Sequence, residues 1–114
     1  MADDIRAFSR NVPISAQKLR LVVDLVRGKD VQEALEVLRF VPNGAARPVY
    51  KAVASAMANA EENFGISRDD LYIYRIFADE GPTRKWRRFG GRGRFKPLLR
   101  RSSHVTVVLR EYQD

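Results

Sequence analysis

One stretch of this chain cannot be folded into an apolar interior. From Gly81 to His104, "GPTRKWRRFGGRGRFKPLLRRSSH" carries nine Lys or Arg (Arg84, Lys85, Arg87, Arg88, Arg92, Arg94, Lys96, Arg100 and Arg101) and no Asp or Glu. The whole chain has 21 basic and 14 acidic side chains, so outside this stretch 12 bases meet 14 acids and the net charge of +7 resides here. Unpaired charge is costly to bury. The stretch must therefore lie outside the core, and a partner must supply its counter-charge.

Its glycines, Gly90, Gly91 and Gly93, fall near its midpoint. Glycine permits the positive φ that closes a hairpin. On one side lies "LYIYRIFAD" (71–79), rich in β-branched and aromatic residues; on the other lies "HVTVVLREY" (104–112), with Val105, Val107 and Leu109 on one face. Both read as strands. The expectation is one long antiparallel ribbon whose arms continue these strands, with the register broken at Gly81-Pro82 because proline cannot donate to a ladder. Each arm of about nine to eleven residues would project on the order of 30 Å. A lone two-stranded ribbon is marginal in water, and nine like charges weaken it further.

The first half reads as helices. Ser15 is a natural N-cap, followed by Leu19, Val22, Val23 and Val26 at helical spacing, and Gly28 closes the turn. Asp30 with Glu33 suggests a capping box for a second helix, striped by Ala34, Leu35, Val37, Leu38 and Val41 and stopped by Pro42. A third helix runs from about Asn43 to Phe64, its apolar face formed by Val49, Ala52, Val53, Ala56, Ala60 and Phe64, and Gly65 ends it. Its alanines supply helix propensity and close packing, or else a flat surface for a partner. "DIRAFSR" near the start is a weaker strand candidate for a sheet edge. The fold class is α+β: three helices packed on a small antiparallel sheet with a long extended β-hairpin. The chain reads as a single domain over 1–114, with a globular body of about 1–80 and 103–114 and the hairpin at about 81–102.

Composition narrows the function. The 114 residues are 45% hydrophobic, ordinary for one globular domain, and no apolar run approaches membrane-spanning length. The early acids of "MADDIRAFSR" suit neither a signal peptide nor a transit peptide. With no cysteine, thiolate chemistry, disulfides and Cys-based metal sites are excluded. His104 is the single histidine and reads as a hydrogen-bonded structural residue. Asp79-Glu80 read as a turn and a counter-charge, too sparse for a metal site. "GGRGR" lacks the strand–loop–helix and GK[ST] ending of a phosphate loop. No catalytic residue, metal or cofactor is expected.

A pI near 10.2 points to a polyanionic partner. Seven of the nine ribbon cations are Arg, and Trp86, Phe89 and Phe95 interleave with them. Guanidinium forks suit phosphate, and aromatic rings accept unstacked bases. Nucleic acid follows, with RNA recognised by shape. An architectural DNA-binding protein that grips the minor groove with a basic β-ribbon is the alternative.

Four blocks in order, "SAQKLRLVVDLVRGKDVQEALEVLRF", "ASAMANAEEN", "DEGPTRKW" and "RRSSHVTVVL", resemble the universal large-ribosomal-subunit protein twenty-two family, in its compact bacterial form, from about Ser15 to Leu109. The resemblance implies a non-enzymatic structural constituent of the cytoplasmic large subunit, a monomer within the ribosome, that binds large-subunit rRNA and supports assembly. It implies a globular part near the peptide exit and a hairpin whose tip helps line the tunnel. Neighbouring ribosomal proteins, the nascent peptide and exit-site factors are further implied partners; no membrane is. The implied rRNA-contacting residues are Ser15, Lys18, Arg20, Arg27 and Lys29 in the amino-terminal block and Asn59 in the helical one. On the ribbon they are Arg84, Lys85, Arg94, Arg100, Arg101, Ser102 and His104, to which the pattern of charge and interleaved rings adds Trp86, Arg87, Arg88, Arg92 and Lys96. The implied tunnel-facing tip is Phe89, Gly90, Gly91, Arg92, Gly93 and Arg94. Here the tip reads "FGGRGRF" where the family has a form like "PRA[KR]GRA".

Overall fold

The computed structural model describes residues 4–81, 84–90, 94–100 and 102–112, with 84–90 and 94–100 described by backbone path and pairing. The order is β1 (Ile5–Val12), α1 (Ala16–Val26), α2 (Val31–Phe40), α3 (Ala46–Phe64), a 3-10 turn (Arg68–Asp70), β2 (Leu71–Glu80), β3 (Arg84–Gly90), β4 (Arg94–Arg100) and β5 (Ser103–Glu111). β1, β5 and β2 form an antiparallel sheet in that order, with β5 central, and β3 and β4 form a separate antiparallel pair. The α+β expectation holds, including the weak strand at the start, which becomes edge strand β1.

The sheet is two-faced because each strand alternates. Three rows cross it on the helix side: Ile5–Leu109–Ile73, Ala7–Val107–Ile76 and Ser9–Val105–Ala78. All of these except Ser9 are buried. A bulge between Ile73 and Arg75 keeps the second half of β2 in phase with this pattern. The stripes of α1 (Leu19, Val22, Val23, Val26) and α3 (Val49, Ala52, Val53, Ala56, Ala60) close the core from above. Ala52, Ala56 and Ala60 are buried, so these small residues serve close packing of α3 on its neighbours and are not a partner surface. Phe64 departs from its expected place in that stripe and is half exposed at the helix end.

The helix ends follow side-chain chemistry. Ser15 caps α1, its Oγ accepting from the Lys18 N–H at 3.4 Å. Gly65, at φ 65°, turns the chain out of α3, and the following Ile66 N–H reaches back to the Ala60 carbonyl at 3.1 Å. α3 starts later than expected, at Ala46, with Asn43 Oδ1 accepting from the Ala45 N–H at 3.0 Å in the preceding turn.

The expected capping box of α2 does not form, since Asp30 makes no side-chain cap bond. Tyr112 stacks on Tyr72 with ring centroids 4.7 Å apart, which carries its hydroxyl to Asp30 Oδ1, where it donates. Glu33 instead takes Lys29 Nζ at 3.4 Å. The bond to Asp30, reinforced by burial and by the nearby negative charge, pushes the Tyr112 phenol up to about 12 from 10.0. Folding thus favours the neutral phenol. Its contribution is complete below pH 10 and is lost as pH rises through about 12. Alkaline absorbance titration of the native protein should show a tyrosinate step near pH 12 that moves down in Asp30→Ala; a native titration complete by pH 11 would contradict the bond.

Candidate nucleic-acid interface

The ribbon is paired over seven positions, from Arg84↔Arg100 to Gly90↔Arg94. Alternation divides it into two faces. One carries Arg84, Trp86, Arg88 and Gly90 opposite Arg100, Leu98, Lys96 and Arg94. The other carries Lys85, Arg87 and Phe89 opposite Leu99, Pro97 and Phe95. Five cations thus share the first face and two the second. Arg84 faces Arg100 and Arg88 faces Lys96 directly across the ladder. Directly opposed like charges destabilise a strand pair, and neither arm has an acid to offset them. Pro97 is tolerated because each strand of a two-stranded ribbon has a free edge. The tip residues Gly91, Arg92 and Gly93, with Pro82 and Arg101, lie outside the described residues.

The root of the ribbon is narrow. The Gly81 N–H donates to the Ser102 carbonyl at 2.8 Å, carrying the β2–β5 ladder one step past Glu80. A Cβ on Gly81 would lie 2.8 Å from Ser102 Oγ and 3.2 Å from the His104 ring. That ring is held in turn, because His104 Nδ1 accepts from the Asn11 N–H at 3.1 Å. Asn11 sits in the β1 irregularity with φ 57°, a conformation asparagine tolerates better than most residues. Ser103 Oγ donates to the Ile14 carbonyl at 2.7 Å beside it. His104 is therefore a structural latch at the ribbon root. Gly81→Ala should destabilise the fold by about 1–2 kcal/mol through overpacking, measured as a lower urea midpoint; an unchanged midpoint would show that the root can yield. Asp79 and Glu80 belong to β2 and form no turn, which corrects the sequence expectation. The ladder continues to the ribbon root and so keeps them extended.

The amino-terminal basic residues line the free edge of β2. The Ile73 N–H donates to the Lys29 carbonyl at 2.9 Å. Beyond the bulge, Arg20 Nε donates to the Ala78 carbonyl at 3.2 Å and Arg27 Nη2 donates to the Ile76 carbonyl at 3.0 Å. Arg27 Nη1 also meets Asp24 Oδ1 at 2.6 Å. These contacts cover an edge that would otherwise offer open backbone groups. Each guanidinium keeps further donors for a ligand. Lys18 is exposed in the first turn of α1, whereas Asn59 stands apart, half-buried on α3.

Two surfaces escaped the sequence reading. A cleft of about 360 Å³ between the end of β1 and the start of α3 includes Arg10, Arg47 and Lys51 in its lining, and no carboxylate lines it. The second surface is the face of the sheet turned away from the helices, with Arg6, Phe8, Tyr74, Arg75, Phe77 and Arg110. Strict alternation in "IRAFS" was the available signal, with Ile5 and Ala7 inward and Arg6 and Phe8 outward. There Asp4 Oδ1 accepts from Arg110 Nε at 2.7 Å, which holds its carboxyl below the usual range and raises Arg110. Among the described residues no three His, Cys, Asp or Glu gather to hold a metal ion, and no helix is long and apolar enough to cross a membrane.

The chain matches known proteins over nearly its whole length. The large ribosomal subunit protein uL22 of Pediococcus pentosaceus is 48% identical over 109 residues, covering 96% of this chain and 92% of the relative. The family model described as ribosomal protein L22p/L17e matches residues 7–110, from within β1 through the ribbon and nearly to the end of β5. With its three helices, its cationic ribbon and nearly all of its sheet inside that match, the chain belongs to the ribosomal protein L22p/L17e family.

Proposed function

We propose that this protein is a structural constituent of the large ribosomal subunit that binds large-subunit rRNA through its ribbon and its β2-edge arginines. The observation that carries the reading is the two pairs of opposed cations, Arg84↔Arg100 and Arg88↔Lys96, on a ribbon without a single acid. Such a ribbon gains stability wherever phosphates surround it. Five cations on one face let rRNA strands approach one another there, and guanidinium groups give bidentate phosphate contacts. The positions proposed as contacts are those that the family resemblance and the ribbon's pattern of charge and rings imply, from Ser15 to His104. Single-domain organisation serves the same role: the body at about 1–80 and 103–114 anchors on the subunit, among neighbouring ribosomal proteins, while the hairpin at about 81–102 extends toward the exit tunnel. Its tip, Phe89 to Arg94, would meet the nascent peptide, and the exposed body would be open to exit-site factors. The protein acts by neutralising charge and by shape, as one copy per particle, without catalysis or cofactor.

Sucrose-gradient sedimentation of cell extracts tests this. Co-migration with the large subunit at one copy per particle, resistant to moderate salt, is expected. Migration with the nucleoid would instead favour a DNA-binding architectural role.

A further inference from the structure

The open face of the sheet has an order of its own. The register sets Phe8, Thr106 and Phe77 in one row across β1, β5 and β2, and Arg6, Val108 and Arg75 in the next. Phe8 is 56% and Phe77 38% exposed, while Thr106 between them is only 9% exposed. Two rings thus stand two strand spacings apart, about 9–10 Å, over a short floor residue. They border a cleft of about 420 Å³. Arginines surround it. The Arg10 guanidinium lies 5.9 Å from the Phe8 ring centre, and those of Arg75 and Arg110 lie 5.4 Å and 3.4 Å from the Tyr74 ring centre. The carboxylate in the cleft lining is Asp4, already engaged by Arg110 and, at 3.8 Å, by Arg6. Asp79 lies on the same side in the row with His104, beyond the phenylalanines.

We propose that this face is a second RNA-binding surface, on which an unstacked rRNA base lies against Phe8 and Phe77 while Arg6 and Arg75 hold its flanking phosphates. The inference rests on the rRNA-binding reading above and extends it to residues outside the ribbon. Charge selects the occupant. Arg6, Arg10, Arg75 and Arg110 outnumber Asp4 and Asp79, which suits a polyanion. The rings are separated by Thr106 and do not merge into the continuous apolar patch that a protein partner would bury. Exposed rings on a sheet with Arg beside them stack bases with little regard to sequence.

The test uses the full-length protein in three forms: wild type, Phe8→Leu/Phe77→Leu, and Arg84→Gln/Arg88→Gln on the ribbon. Leucine keeps apolar cover over the sheet and removes the planar ring. Binding to a ten-nucleotide oligouridylate and to large-subunit rRNA is measured at fixed salt, and ultraviolet cross-links are mapped by peptide. The Phe pair should lose about tenfold in affinity for the oligonucleotide, and wild-type cross-links should fall in the peptides containing Phe8 and Phe77. Unchanged oligonucleotide affinity with no such cross-links, while the ribbon variant still loses rRNA binding, overturns the proposal and leaves the ribbon reading standing. If neither variant changes rRNA binding, both fall. Cross-links from this face to a neighbouring ribosomal protein in the assembled subunit, in place of RNA, also overturn it. Should the Phe pair lower the melting temperature, the wild-type cross-link map and Arg6→Gln/Arg75→Gln decide the matter by the same criteria.

Discussion

Replacing Arg84, Arg88, Arg92 and Arg101 with Gln weakens binding to large-subunit rRNA and flattens its salt dependence. Each phosphate neutralised by a cation contributes about 0.9 to the slope of log K against log salt. Four lost contacts lower that slope by about 3 to 4, which at 0.15 M salt corresponds to roughly a thousandfold weaker binding. Arg84 and Arg88 stand on the five-cation face, so the loss is not spread evenly around the ribbon. Filter binding from 50 to 500 mM salt checks it. Parallel curves for the variant and the wild type would mean that the ribbon cations do not meet phosphates. Gln is shorter than Arg but stays polar, and it removes one of two like charges at Arg84↔Arg100 and Arg88↔Lys96, so the fold is expected to be no less stable.

The second large effect is on stability. Leu109→Ala, on the central strand β5, should destabilise the protein by about 3 kcal/mol. Leu109 is fully buried and lies between Ile5 and Ile73 in the first row of the core. The cavity opens where α3 and both edge strands meet β5, and little there can move to fill it. In a domain whose total stability is about 5–15 kcal/mol, the melting temperature should fall by roughly 10–15 °C. Leu21→Ala on α1, where the side chain is 65% exposed, is the control and should shift stability by less than about 0.5 kcal/mol. Equal shifts in the two variants would contradict the assigned core.

Much of this architecture could be read from the residues. Helical spacing in α1 and α3 is dictated by burial, which repeats along the chain, and Val105, Val107 and Leu109 of β5 share the core face, so Leu19, Val53 and Val107 fall where their patterns place them. Ser15 and Gly65 act locally and were equally legible. What could not be read depends on contacts remote in sequence. Asp30 leaves its cap for Tyr112, 82 residues away. His104 is latched by Asn11, 93 residues away, through a backbone irregularity in β1 that no composition signals. Arg20 and Arg27 are implied rRNA contacts in the sequence, yet part of their hydrogen bonding goes to the edge of β2. The ribbon was legible as charge and glycine. Its division into faces of five and two cations became visible only with the register.

The central claim is that the ribbon lies among the phosphates of large-subunit rRNA. The chain has no cysteine, so Phe95→Cys places one iron chelate on the outer half of the ribbon while keeping all nine cations. In large subunits assembled with this variant, hydroxyl radicals released from the chelate should cut large-subunit rRNA at a few confined positions. Those positions should differ from the cuts made by a chelate on the body at Phe64→Cys. Strong cleavage from the body with none from the ribbon would contradict the claim.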